Sequence, residues 1–269
     1  MRFKNPCQPH VSSGRDSVII QERVHDYRFI TQHDHGRLSG ELAAAWRDPE
    51  TGKEISEELL IATYLHDVLW VQMDRVPSFD FESGKPLDFL AYPEAEKLEQ
   101  YELGIDLITS VDPYTALLHA LHFSEFVNRE KHPAFRHRMD MRIAHLRASL
   151  GEARCENVDS DLQKLRFFDV LSLLLCMTGP GIPRTPPPWL TPSPHLTKRG
   201  LSAWWEGDDF ILDPYRFNET LQVWIPYRDI PMSHDPEALR TAFLNTPVAH
   251  QAVTIRAASP SERAARAKK

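Results

Sequence analysis

Cysteine is scarce in this chain. Cys7, Cys155 and Cys176 are an odd, widely spaced set with no CxxC pair. That excludes a disulfide-stapled scaffold and suits a reducing compartment. Long apolar runs are missing as well. The longest, around Val170 to Met177, falls far short of the roughly 20 residues that cross a bilayer. Met1 to His10 has no apolar core of the signal-peptide kind. The expectation is a soluble, cytoplasmic protein without membrane contact. There is no excess of positive charge either: 31 Lys and Arg stand against 38 Asp and Glu, a net charge of −7. General nucleic-acid binding needs a basic surface, so no nucleic-acid partner is expected. A small phosphate-bearing substrate stays open, because a bound cation can supply positive charge locally. No internal repeat is visible, and a homodimer is left open.

What is present is an ordinary globular composition, 42% apolar and 26% charged over 269 residues, long enough for a sizeable core. Val18-Ile19-Ile20 and Tyr27-Arg28-Phe29-Ile30 read as two short strands, a hairpin or a pair of edges. Asp34 is the expected N-cap of a helix through Leu38, Leu42 and Ala45, and Ser56 caps a second with Glu57 and Glu58 in its first turn. The stretch from Asp74 to Pro93 reads as a long irregular loop, of the kind that covers sites. Pro93 and Asp112-Pro113 start further helices, and a stripe from Leu162 to Cys176 forms the last, stopped by Gly179-Pro180. Beyond a proline-rich connector the apolar period changes to two, in Trp204-Trp205, Phe210-Ile211-Leu212, Leu221 to Ile225 and Ala252 to Ile255. The expected architecture is therefore mainly α (α+β) in one domain, 1–269. It comprises a helical core over about 27–178, a connector over 180–194, a β-rich portion over 200–256 and a disordered tail over 259–269. The sheet, built from the strands of both ends, is expected to be small.

Three oddities fall on the helical stretches. His66-Asp67 sits within the apolar run Leu59 to Trp70, His33 and His35 open the first helix, and Asp169 has apolar residues on either side. A carboxylate withdrawn from water costs several kcal/mol unless paired, and imidazole with carboxylate is an ordinary ligand set for a divalent metal. Each feature alone is compatible with a solvated rim residue. Three together point to a shared site.

The order His35, His66-Asp67, Asp169 resembles the metal signature of the HD-domain superfamily of phosphohydrolases, over about residues 27–178. More narrowly, Ile30 to His35 with Leu38-Ser39-Gly40, then His66-Asp67, then Asp169-Val170-Leu171-Ser172-Leu173 look like an uncharacterised bacterial family with a variant of that signature. The resemblance implies an HD-like helical core and His35, His66, Asp67 and Asp169 as metal ligands. It also implies His66 and Asp67 at the reacting centre and hydrolysis of a small phosphoester or nucleotide through a metal-activated water. The metal would be Fe, Mn, Zn or Mg. Either His33 or His35 can be the first ligand; His35 is preferred because it lies one turn deeper relative to Leu38 and Leu42. His119 and His122 share a helix face and, with His33, are candidates for a second metal. Arg75 and Lys85, in the loop after Trp70, are candidates for holding phosphate by position. The ligand set enlarged by His119 and His122 also resembles the di-iron oxygenases built on this fold, and a non-catalytic helical binding protein with a vestigial site is the third reading.

Overall fold

The computed structural model describes residues 18–48, 52–80, 82–180, 182, 186–190 and 193–266. The N-terminal stretch expected to be ragged and much of the proline-rich connector lie outside the described residues. In chain order the elements are strands β1 (Val18–Glu22) and β2 (Asp26–Thr31), then helices α1 (Gln32–Ala45), α2 (Glu57–Leu65), α3 (Glu94–Thr109) and α4 (Pro113–Phe126). There follow α5 (Pro133–Leu150), α6 (Glu152–Cys155), α7 (Val158–Met177) and α8 (Pro194–Thr197). The chain closes with β3 (Ser202–Glu206), β4 (Asp209–Asp213), β5 (Leu221–Pro231), α9 (Pro236–Asn245), β6 (Ala249–Ala257) and α10 (Pro260–Arg266).

The six strands form one curled, mixed sheet, a half-barrel, in the order β1-β2-β5-β6-β4-β3. This corrects the expectation of a mainly α protein with a small sheet: about 51% is helix and 19% strand, a substantial α/β fold. The strands lie where the period-two runs predicted them and do come from both ends. Two of them run well past their apolar stretches. Strand β5 pairs along its first half with β6 (Val223 opposite Val253) and along its second with β2 (Ile230 opposite Tyr27). Strand β6 also pairs in parallel with β4, so β4, β5 and β6 join through partners distant in sequence. The β3–β4 hairpin turns on Gly207-Asp208, with Gly207 at φ 60°, a conformation that a two-residue hairpin favours and a side chain resists. The expected disordered tail also needs correction, because α10 continues to Arg266. It is pinned by Arg256 to Glu262 at 2.8 Å and by Arg263 to Asp213 at 2.8 Å.

Two cores meet along α7. Its C-terminal half and α1 lie on the sheet, where Phe168, Leu171, Leu38 and Leu42 pack with Phe210, Val223 and Ile255. Its N-terminal half, with Val158, Leu162 and Leu165, joins α2 to α5 in a second core around Ile105, Leu117 and Phe123. Asp169 falls at the junction. Helix α1 packs closely on α2 because its facing positions are small. A Cβ on Gly40 would lie 2.2 Å from the Tyr64 ring, and one on Gly36 would just touch Asp67 at 3.4 Å.

Helix α1 starts at Thr31, whose hydroxyl accepts the Asp34 N–H at 3.0 Å. Asp34 was the expected cap; it instead accepts the Thr31 hydroxyl at 2.7 Å from inside the first turn. Buried Asp74 accepts the next two free backbone donors, from Gln32 at 3.2 Å and His33 at 2.9 Å. Capping by a residue some 40 positions away answers the orphan N–H groups of that turn. It also ties the segment after His66-Asp67 to the segment before His35.

A candidate metal centre

The expected mid-helix position of His66-Asp67 is corrected. Helix α2 ends at Leu65, His66 is its C-cap, and Asp67 (φ −107°, ψ 18°) turns the chain into a single 3-10 segment, 68–72. The turn drives Leu69 and Trp70 into the helical core, where Leu69 lies against Gly104, whose missing side chain makes the room. The change of direction lets the adjacent His and Asp face the same point.

There they meet His35 and Asp169. His35 Nε2 lies 3.1 Å from Asp169 Oδ1 and 3.3 Å from His66 Nε2. His66 Nε2 is 3.5 Å from Asp169 Oδ1, and Asp67 Oδ2 is 3.6 Å from His35 Nε2 and 3.7 Å from His66 Nε2. All four residues are buried. Ligand atoms about 2.0–2.2 Å from a shared ion sit roughly 3.0–3.6 Å from one another, so the spacing of His35, His66 and Asp169 suits one, with Asp67 beside both imidazoles.

The neighbours also prepare the imidazoles. His66 Nδ1–H donates to the Thr63 carbonyl at 2.8 Å. His35 Nδ1 lies 2.8 Å from Ser172 Oγ, which also contacts the Asp169 carbonyl at 2.8 Å and Ser39 Oγ at 2.6 Å. With the proton of both rings on Nδ1, both Nε2 lone pairs turn inward, the usual arrangement of metal-binding histidines. Two inward lone pairs facing two carboxylates need a positive charge between them. A proton is one answer. Burial pushes the His66 imidazole down, but the Asp67 charge, the Asp169 carboxylate and the Thr63 carbonyl outweigh it and raise it to about 9. A divalent cation is the other answer, and the buried His35, His66 and Asp169 can hold one.

The remaining electrostatics follow from the same enclosure. Burial raises the Asp67 carboxyl, opposed by His66, His35 and a hydrogen bond from the Trp70 indole. For Asp169 burial also acts upward, but the His35 and His66 contacts hold it well below the usual carboxylate range. Burial raises Asp74 well above that range against its two backbone donors.

The other sequence candidates separate. His122 belongs to the cluster: its Nε2 lies 3.5 Å from Asp169 Oδ2, and its Nδ1 is buried without a partner. His119 does not, since its Nε2 lies 2.9 Å from the Ala62 carbonyl. His33 is exposed, which leaves His35 as the histidine of α1 in the site. Arg75 is exposed, and Lys85 pairs with Glu22 on the surface at 3.0 Å; neither lines the cavity over the cluster. The structure thus brings together His35, His66, Asp67, His122 and Asp169, and leaves His33, His119, Arg75 and Lys85 outside.

That cavity measures about 450 Å3, with His35, Asp67, His122 and Asp169 in its lining. The cationic side chains it does contain are Lys97 and Arg166, with His195 beside them. Burial lowers the Lys97 ammonium and the His195 imidazole alike. Sequence reasoning missed these three because they lie on α3, α7 and α8, far in the chain from the His-Asp pair. It also missed Ser172 as the partner of His35, although Ser172 lies one turn beyond Asp169 on the same helix.

Residues 18–232 match the family model described as "Protein of unknown function (DUF3891)". The match covers well over half of the 269 residues, and the chain belongs to that family. Comparison with curated proteins and with solved structures finds no match. No described helix is long and apolar enough to cross a membrane.

Proposed function

We propose that the protein is a metal-dependent phosphohydrolase, similar to the HD-domain superfamily, that cleaves a small phosphomonoester in the cavity above His35, His66, Asp67 and Asp169. One observation carries the reading: the Nε2 atoms of His35 and His66 lie 3.3 Å apart, each 3.1–3.7 Å from both the Asp67 and Asp169 carboxylates, beneath a cavity that also presents Lys97 and Arg166. The mixed nitrogen and oxygen donor set favours Mn, Fe or Zn over Mg. A divalent ion held there supplies Lewis acidity toward phosphoryl oxygen and lowers the pKa of water toward about 7.

The chain's own residues do the rest. His35 and His66 are held at Nδ1 by Ser172 and Thr63. Asp67, at the cavity surface, orients the attacking water and accepts its proton. Lys97 and Arg166 take the charge of the phosphoryl group. In the overall change a water oxygen bonds to phosphorus, the bond from phosphorus to the ester oxygen breaks, and the released alcohol takes up a proton. A cytoplasmic location and no nucleic-acid partner belong to this same reading.

The test is elemental analysis of protein purified without chelator, followed by p-nitrophenyl phosphate hydrolysis with the metal found. His66→Ala and Asp169→Ala should each lower metal content at least tenfold and abolish turnover. Full metal stoichiometry in both variants would place the ion elsewhere and end the proposal.

A further inference from the structure

We infer that the phosphoester this site accepts carries a flat, apolar organic group, and that Leu90, Phe126 and Trp189 select for it; the inference rests on the phosphohydrolase reading above. Large apolar side chains are costly to leave in water, and when several gather they mark a contact surface. Leu90, Phe126 and Trp189 are 36%, 57% and 43% exposed, come from three separate segments, and all line the one cavity above the metal cluster. Phe126 stands edge-on to the His122 ring, 4.8 Å between centroids, so an apolar wall begins directly beside the polar floor. Deeper in the same cavity Tyr101 and Phe123 are stacked at 4.4 Å and Trp70 meets Tyr101 edge-on at 6.2 Å. A volume of about 450 Å3 suits a small molecule and is too small for a folded partner.

The chemistry of the ligand follows from where the polar groups are. Lys97 and Arg166, the latter paired with Glu125, answer a phosphate. Outside the cluster Gln32 and His195 are the other polar side chains of the lining, and the rest of the wall is mostly aromatic and aliphatic. That leaves too few hydrogen-bond partners for each hydroxyl of a polyol. Hydroxyls stripped of water against such walls are penalised, whereas an aromatic or otherwise flat apolar group gains contact with them. A ring-bearing phosphomonoester fits; an open polyol phosphate does not.

Phe126 and Trp189 are both outside the buried cores, so replacing them leaves the cores intact. The measurement is calorimetric binding of two non-hydrolysable probes, 1-naphthylmethylphosphonate and methylphosphonate, to the full chain loaded with Mn2+. The naphthyl probe should bind at least tenfold more tightly. Phe126→Ala and Trp189→Ala should each cut that ratio to threefold or less while methylphosphonate binding stays within twofold. Equal affinity of the two probes for the unaltered protein, or a ratio unchanged in both variants, overturns the inference. Turnover of 1-naphthyl phosphate is followed in parallel. A preserved naphthyl preference without turnover supports the inference on ligand class and removes the hydrolytic reading alone.

Discussion

The sheet-backed core and the helical core bury different things and are built differently. In the first, Trp46 is ringed by Phe167, Phe168 and Phe217 at 4.9–5.8 Å, and the strands beneath it pair across long stretches of sequence. In the second, helices that follow one another pack in order, α3 on α4 and α4 on α5. Neither core encloses the ionisable cluster. His35 and Asp169 come from the helices of the first; His66, Asp67 and His122 come from the second. The cluster is tolerated because it lies on the seam, where each carboxylate finds an imidazole on the opposite wall as well as one on its own. A cation held there would join the two cores, and disturbing it would read out how strongly they depend on each other.

Removing the cation should have the largest effect. A ligand present at about a thousandfold over its Kd stabilises the fold by roughly 4 kcal/mol, which for a chain of this size corresponds to a Tm shift of roughly 8–16 °C. Calorimetry with and without chelator measures this, and an unchanged Tm would mean the seam holds without an ion.

Next comes a test inside the helical core alone. Burial pushes the His119 imidazole down to about 4, against the Ala62 carbonyl that acts upward, so the folded state holds the neutral ring. Its contribution is present above pH 6.5, declines as pH falls from there, and is lost through about pH 4. That amounts to about 3 kcal/mol between the two limits. Urea unfolding at pH 7 and pH 4 should show the loss, and His119→Gln should be flatter over that range by a comparable amount.

The seam itself can be pried open at one glycine and not at the other. Gly40→Ala puts a methyl 2.2 Å from the Tyr64 ring and should cost about 1–3 kcal/mol, with weaker metal binding. Gly36→Ala makes its nearest contact at 3.4 Å and should be close to neutral. Equal melting temperatures for the two variants would show that Tyr64 moves aside freely. The smallest effect is expected of Ser172→Ala. It removes the partner of His35 Nδ1 and should weaken metal affinity about tenfold, near 1.4 kcal/mol, by titration, with hydrolysis of p-nitrophenyl phosphate following the metal content.

Much of the helical core was legible because its signals are local. Ser56 and Asp112-Pro113 cap the helices they were expected to cap, and His66-Asp67 and Asp169 stood out as polar residues in apolar runs. The termination of α2 at Leu65 was not legible. It depends on Leu69 settling against Gly104, a contact between residues 35 positions apart. Arg75 and Lys85 are close to the pair in sequence alone, whereas Arg166 and Lys97 reach the cavity through the packing of α7 and α3. The size of the sheet was hidden for a related reason. The second half of β5, Pro226 to Pro231, contains two prolines and charged residues, and β6 shows apolar alternation only over Ala252 to Ile255, with exposed positions at both of its ends. Asp74 looks like a loop acid in sequence; only the docking of α1 makes it a cap.

Strand β6 has one further consequence. It lies between β5 and β4, yet the family match ends at residue 232, before β6 begins. A truncation at that limit would keep every residue of the cluster while pulling an interior plank from the platform beneath α1 and α7, exposing two raw strand edges that invite aggregation. During synthesis the helical bundle can assemble on leaving the ribosome, but the floor under the site cannot be knitted until residues 249–257 have emerged.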